Sequence, residues 1–165
     1  MSRADAGRSA TSGTGRAAAA VVGACEPGTR GDEQTARRHR FAEHGGEVEL
    51  ELEAPTEAGV LEEAAVALAE LIGRPGGSRE RREISVTATD LPLLLVEWLS
   101  ELVFLAEVDG FVPERTTVEL NGLQLLATAD GRRGAPAHLV KAVTLHRLAF
   151  ERVGDRWQAR VVLDV

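Results

Sequence analysis

Between Glu47 and Glu53 every odd position is a glutamate, while the even positions are Val48, Leu50 and Leu52. Successive side chains of a strand point to opposite faces. The segment therefore reads as a strand with one wet face and one apolar face that a second layer must cover. With 165 residues the chain can supply that layer within one domain and build a core without cross-links.

Two stretches have the period needed to cover it. Val60, Leu61, Ala64, Ala65, Leu68, Leu71 and Ile72 recur at three and four, after a capping residue, Thr56, and before Gly73 and Pro75. A second helix is predicted from Asp90 as cap and Pro92 in the first turn, through Leu93, Trp98, Leu99, Leu102 and Leu105. Its apolar coverage is broad enough for burial on more than one side. The rest reads as strands: Ile84, Val86 and Ala88; Val118 and Leu120; then Leu123, Leu125 and Ala127 after the turn signal Asn121-Gly122. Gly131, Arg132, Arg133 and Gly134 read as a loop, with solvated arginines. A long strand from about 140 to 152, a turn at Gly154-Asp155 and an apolar run over 157–165 complete the chain. The expected fold class is α+β: one compact domain over residues 39–165, a mostly antiparallel sheet packed by two helices. Residues 1–38 lack an apolar period and read as a disordered tail. Within them, Arg16 to Cys25 has a short lipoprotein-signal look, set against a plain flexible leader.

Composition removes several classes. The single Cys25 excludes an internal disulfide and a cysteine zinc site, and the four histidines lack zinc-finger spacing. A net charge of −7 argues against broad nucleic-acid binding and favours a cationic ligand or a basic partner. No run approaches the length of a spanning helix, so no membrane role and a cytoplasmic location are expected.

The last two strands form a predicted hairpin that brings Lys141 to Asp164. If the Glu47 strand runs antiparallel to the last, Glu47 arrives at the same end, with His44 and the carboxyl group of Val165. Three acids that close repel unless a cation neutralises them. Oxygen-only ligation suits calcium, magnesium or manganese. The candidate metal ligands are therefore Glu47, Asp164 and Val165, with His44 as a weaker one, set against a solvated acidic rim. Glu49, Glu51 and Glu53 read as a solvated face, and His138 and His146 as structural or surface residues. No GxSxG and no phosphate-binding glycine loop are present, so the chain does not read as an enzyme. The competing classes are a metal-independent interaction or chaperone module with an acidic edge, and a metal-dependent hydrolase for which neither base nor phosphate cradle can be named.

The segments Phe41-Ala42-Glu43-His44, Leu61-Glu62-Glu63-Ala64, Glu97-Trp98-Leu99-Ser100-Glu101-Leu102, Lys141-Ala142-Val143-Thr144-Leu145-His146 and Val162-Leu163-Asp164-Val165 resemble the archease family. The resemblance implies a non-catalytic, metal-binding activator of a GTP-dependent, tRNA-splicing RNA ligase that joins 3′-phosphate to 5′-hydroxyl ends. Such an activator promotes guanylylation of the ligase and its turnover. By position it implies metal ligation by Glu47, Asp164 and Val165, with Lys141 as the matching basic residue toward the partner. Where the family reads His-Thr-Ala-Asp-Val, this chain reads His44-Gly45-Gly46-Glu47-Val48, a longer ligand arm on a looser backbone.

Overall fold

The structure is a computed structural model that describes residues 37–73 and 75–165. The predicted tail, including Arg16 to Cys25, lies outside the described residues apart from Arg37 and Arg38. Among the described residues, seven strands and two helices follow in the order β1 (Arg38–His44), β2 (Glu47–Ala54), α1 (Glu57–Ile72), β3 (Arg79–Thr87), α2 (Leu91–Val108), β4 (Phe111–Asn121), β5 (Gln124–Arg133), β6 (Ala142–Val153) and β7 (Arg156–Asp164). They form two antiparallel sheets rather than one, ordered β1-β2-β7-β6 and β3-β5-β4. Both helices touch both sheets. One continuous core runs from Leu50 and Leu163 through Val60, Leu61, Leu68, Trp98 and Leu99 to Phe111 and Leu125. No described helix is long and apolar enough to cross a membrane.

The alternation in β2 acts as expected. Val48, Leu50, Leu52 and Ala54 are all buried against the helices, and each fully buried aliphatic side chain stabilises the fold by about 1.5–3 kcal/mol. Both helix starts carry the predicted caps: Gly59 N–H donates to Thr56 Oγ1 at 3.0 Å, and Leu93 N–H to Asp90 Oδ1 at 2.8 Å. Gly73 ends α1 at φ 83°.

Several expectations need correction. β1 was not apparent in the sequence, because its core-facing positions include His39 as well as Phe41. His39 is held by α1: its Nδ1 lies 2.7 Å from Glu63 Oε1 and its Nε2 3.2 Å from Glu70 Oε2. Glu63 is the single buried charged residue among those described, 8% exposed. Replacing His39 by Ala leaves that carboxylate without its partner, and the expected loss is about 2–3 kcal/mol in urea denaturation. A loss indistinguishable from that of Arg40→Ala would remove the role given to this contact.

The predicted loop at Gly131–Gly134 is instead the end of β5, with Arg132 paired to Arg79 on β3 and to Val112 on β4. Gly131 serves close packing there: a Cβ would lie 2.3 Å from the Val112 carbonyl oxygen and 2.9 Å from the Phe111 ring. Pro113 lies within β4, at a register shift, rather than before the strand. In the β4–β5 turn the central residues are Gly122 and Leu123, flanked by the pair Asn121↔Gln124. Only Gly122 has positive φ there, at 65°, which suits glycine at the first central position of a hairpin turn.

The face of β2 expected to be solvated is instead a ladder of ion pairs, with the Glu49 and Glu53 side chains only 11% and 13% exposed beneath their arginines. Arg38 grips Glu53 at 2.7 and 2.8 Å, Arg40 reaches Glu51 at 2.6 Å, and Arg147 reaches Glu49 at 3.1 Å. Arg156 also pairs with Glu53. The Arg38 guanidinium, with Arg156, holds the Glu53 carboxyl below its ordinary value of 4.5. A carboxyl depressed in the folded state adds stability above its unfolded pKa and loses it as pH falls through the folded one. Wild type is therefore expected to lose more stability between pH 6 and 3 than Glu53→Gln does, read as the shift in urea midpoint. Parallel losses in the two proteins would contradict this.

Candidate functional site

The β1–β2 hairpin is closed by Gly45 and Gly46 at φ 56° and 101°. Two central residues with positive φ are what a tight primed turn requires, so the glycines serve the turn and the expected looser arm is a closed hairpin. The hairpin sets the register that builds the site. His44 lies opposite Glu47, Glu47 opposite Asp164, and Asp164 opposite Ala142, one row across all four strands. Directly paired residues of an antiparallel ladder share a face, so His44, Glu47 and Asp164 stand in line on the solvent side of the sheet.

Backbone bonds lock the corner. Val165 N–H donates to the Gly46 oxygen at 3.1 Å, and Lys141 N–H to the Asp164 oxygen at 2.8 Å. The Lys141 ammonium donates to the main-chain oxygen of Val165 at 2.8 Å and stands 3.8 Å from Asp164 Oδ1. One cation is thus within reach of both acidic groups at the end of β7. Asp164 is half-exposed, with 47% of its side-chain surface accessible, and Lys141 is 66% exposed. His44 and Glu47 are exposed, and their side chains make no hydrogen bond or ion pair with other described residues. Of the four glutamates on this face of β2, Glu47 is the one without an arginine partner among the described residues.

The register brings together all five residues singled out from the sequence, and convergence ends there. No three His, Cys, Asp or Glu side chains among the described residues are grouped closely enough to hold a metal ion. What the sequence reading missed is the cleft beside this corner, lined by Phe41, Glu43, Glu70, Leu71, His138 and Leu139 together with Glu47 and Val165. The 134–141 loop is fastened there because the N–H groups of Ala137 and His138 both donate to the Ile72 oxygen at the end of α1, at 3.0 and 2.9 Å. Leu139, a large aliphatic side chain left 58% exposed beside the buried Val140, is the signal that could have marked it.

Comparison with known proteins gives a consistent result. Residues 39–165 match the model of the Archease protein family. The chain is 34% identical over 142 residues to the protein archease of Methanosarcina acetivorans, covering 78% of this chain and 97% of that protein. It is 31% identical over 139 residues to the protein archease of Pyrobaculum calidifontis, covering 77% and 95%. Among solved structures, Methanobacterium thermoautotrophicum protein 1598 superposes with a TM-score of 0.67 at 26% identity, over 77% of this chain and 98% of that one. An archease from Thermotoga maritima, described as a possible chaperone, superposes with a TM-score of 0.60 at 26% identity, over 75% and 94%.

Proposed function

Because the chain belongs to the archease family, matched over residues 39–165, we propose that it is a non-catalytic activator of a partner protein, and that the partner is a GTP-dependent RNA ligase. In this reading it promotes ligase guanylylation and repeated turnover in tRNA splicing or RNA repair. The observation that carries the reading is the corner where Glu47 and Asp164 stand opposite each other in one row, with Val165 next in the chain and Lys141 reaching both Asp164 and Val165. The net charge of −7 suits docking on a ligase rim built to bind RNA, since complementary charge speeds encounter and fixes orientation.

The donor chemistry fits a hard divalent ion. Two carboxylate side chains and a main-chain oxygen are the ligands calcium, magnesium or manganese takes, and the Lys141 ammonium is a stand-in cation already within reach of two of them. Glu47, Asp164 and Val165 would hold the ion, with His44 at the row's end. Its chemistry would be charge neutralisation and orientation of phosphate oxygens at the ligase's nucleotide site. Lys141 offsets part of the negative charge at the end of β7 in the meantime and is free to turn toward a partner once the acids are otherwise satisfied.

That same lysine favours a second reading, a metal-independent interaction module whose acid pair is partly neutralised internally. The test is multiple-turnover ligation by the cognate ligase at limiting ligase, with and without this protein, alongside direct binding of the protein to calcium, magnesium or manganese by equilibrium dialysis. Stimulation together with divalent binding supports the activator reading with its metal. Stimulation without divalent binding supports the interaction module, and no stimulation by folded protein overturns both.

A further inference from the structure

The second sheet has an outer face that the activator reading does not use. Its rows across β3, β5 and β4 are Arg81–Asp130–Arg115, Glu83–Thr128–Thr117, Ser85–Leu126–Glu119 and Thr87–Gln124–Asn121. Beyond the first, Arg79 stands directly opposite Arg132, and the β4 bulge sets Glu114 against Arg132 at 2.9 Å. Four arginines thus share one corner. Arg81 is committed to Asp130, at 2.7 and 2.9 Å, and Arg132 to Glu114 and the Gly77 oxygen. Arg79 and Arg115 are exposed and make no hydrogen bond with another described residue, but Arg115 faces Asp130, whose carboxyl Arg81 first and Arg115 with it hold below its ordinary value. Like charges directly opposite in a ladder are destabilising on their own; Glu114 already answers Arg132, and an anion over Arg79 would answer the other member of the pair.

We propose that this corner binds the phosphate backbone of single-stranded RNA. Guanidinium groups are the donors best matched to phosphate oxygens. Side chains two residues apart on a strand repeat at about 6.8 Å, a spacing commensurate with successive phosphates, which points to a polyanion rather than one isolated phosphate. The rows that follow carry Thr117, Thr128, Gln124 and Asn121, uncharged donors of the kind that line phosphate and sugar contacts, together with the exposed Glu83 and Glu119, whose carboxylates repel phosphate and limit the contacts to the arginine corner. None of the residues in these rows is aromatic, so the binding is to the backbone and tolerant of sequence. The net charge of −7 sets such binding against the chain's overall repulsion and confines it to this corner. The choice of RNA among polyanions rests on the ligase-activator reading.

The experiment is fluorescence anisotropy of a short labelled single-stranded RNA with the full chain alone, without ligase, across a salt series. Arg79→Gln/Arg115→Gln is expected to weaken binding roughly tenfold and to flatten the salt dependence by about 1.4 in slope, the value for two lost phosphate contacts on a single strand. Arg40→Gln/Arg152→Gln removes the same charge from the first sheet and is expected to change neither, while Asp164→Ala leaves binding intact. Absence of RNA binding, or equal loss in the two arginine pairs, overturns the proposal. Because no ligase is present, a failure here is distinct from a failure of activation.

Discussion

Asp164→Ala is expected to abolish stimulation of the ligase in multiple-turnover assays while the protein stays folded, and Glu51→Ala to leave stimulation near the wild-type level. Both residues are acids on the same face of the same sheet, so they share the bulk electrostatic contribution. They differ in surroundings. Glu51 is consumed by Arg40 at 2.6 Å and lies opposite Arg160. Asp164 lies opposite Glu47 and shares Lys141 with the oxygen of Val165. Removing Asp164 deletes the central member of the row and frees Lys141 to pair with Val165 alone. The side chain is half-exposed and outside the core, so the cost in stability should stay within about 1 kcal/mol, typical of surface pairs. Equal loss of stimulation in the two variants would show that overall negative charge, rather than this corner, does the work.

Trp98→Ala is expected to lose about 3–5 kcal/mol in urea denaturation, a large share of the 5–15 kcal/mol of an ordinary domain. Trp98 is fully buried, and its indole N–H donates to the Leu61 oxygen at 2.9 Å. One side chain therefore fills the centre of the core and ties α2 to α1. Trp98→Phe keeps most of the volume and forfeits the hydrogen bond, so a smaller loss of about 1–2 kcal/mol is expected. A loss for Trp98→Ala no greater than that of an exposed substitution such as Phe104→Ala would contradict the packing described.

Elements whose signals are local were legible in the sequence. The helices announced themselves by period and by the caps Thr56 and Asp90, and the β2–β7 pairing, entertained from the sequence only as a condition, is present in antiparallel register. What escaped had its cause far away in the chain. β1 carries His39 toward the core, and only α1, through Glu63 and Glu70, makes that tolerable. The glutamates of β2 looked unpaired because the Arg147 that reaches Glu49 is 98 residues distant. The break in β6 has no glycine to mark it. Thr144 pairs with Val162 and Ala149 with Arg160, so four residues intervene on β6 against one on β7, and Arg147 takes φ 55°. For the site, the sequence indicated which residues meet. It did not reveal the cleft beside them, which depends on how the 134–141 loop is tied to Ile72.

That break in β6 bears on how the molecule behaves at high concentration. A strand at the margin of a sheet offers unpaired backbone groups to any neighbouring copy, and a regular, apolar margin invites stacking into ribbons. β6 is the outermost strand of its sheet and loses its regular pitch midway, with a charged side chain drawn across toward Glu49. At the margin of the other sheet, the Val118 N–H of β4 is already taken by Glu62 at 2.8 Å. Both margins are thereby interrupted as templates along which copies could zip together.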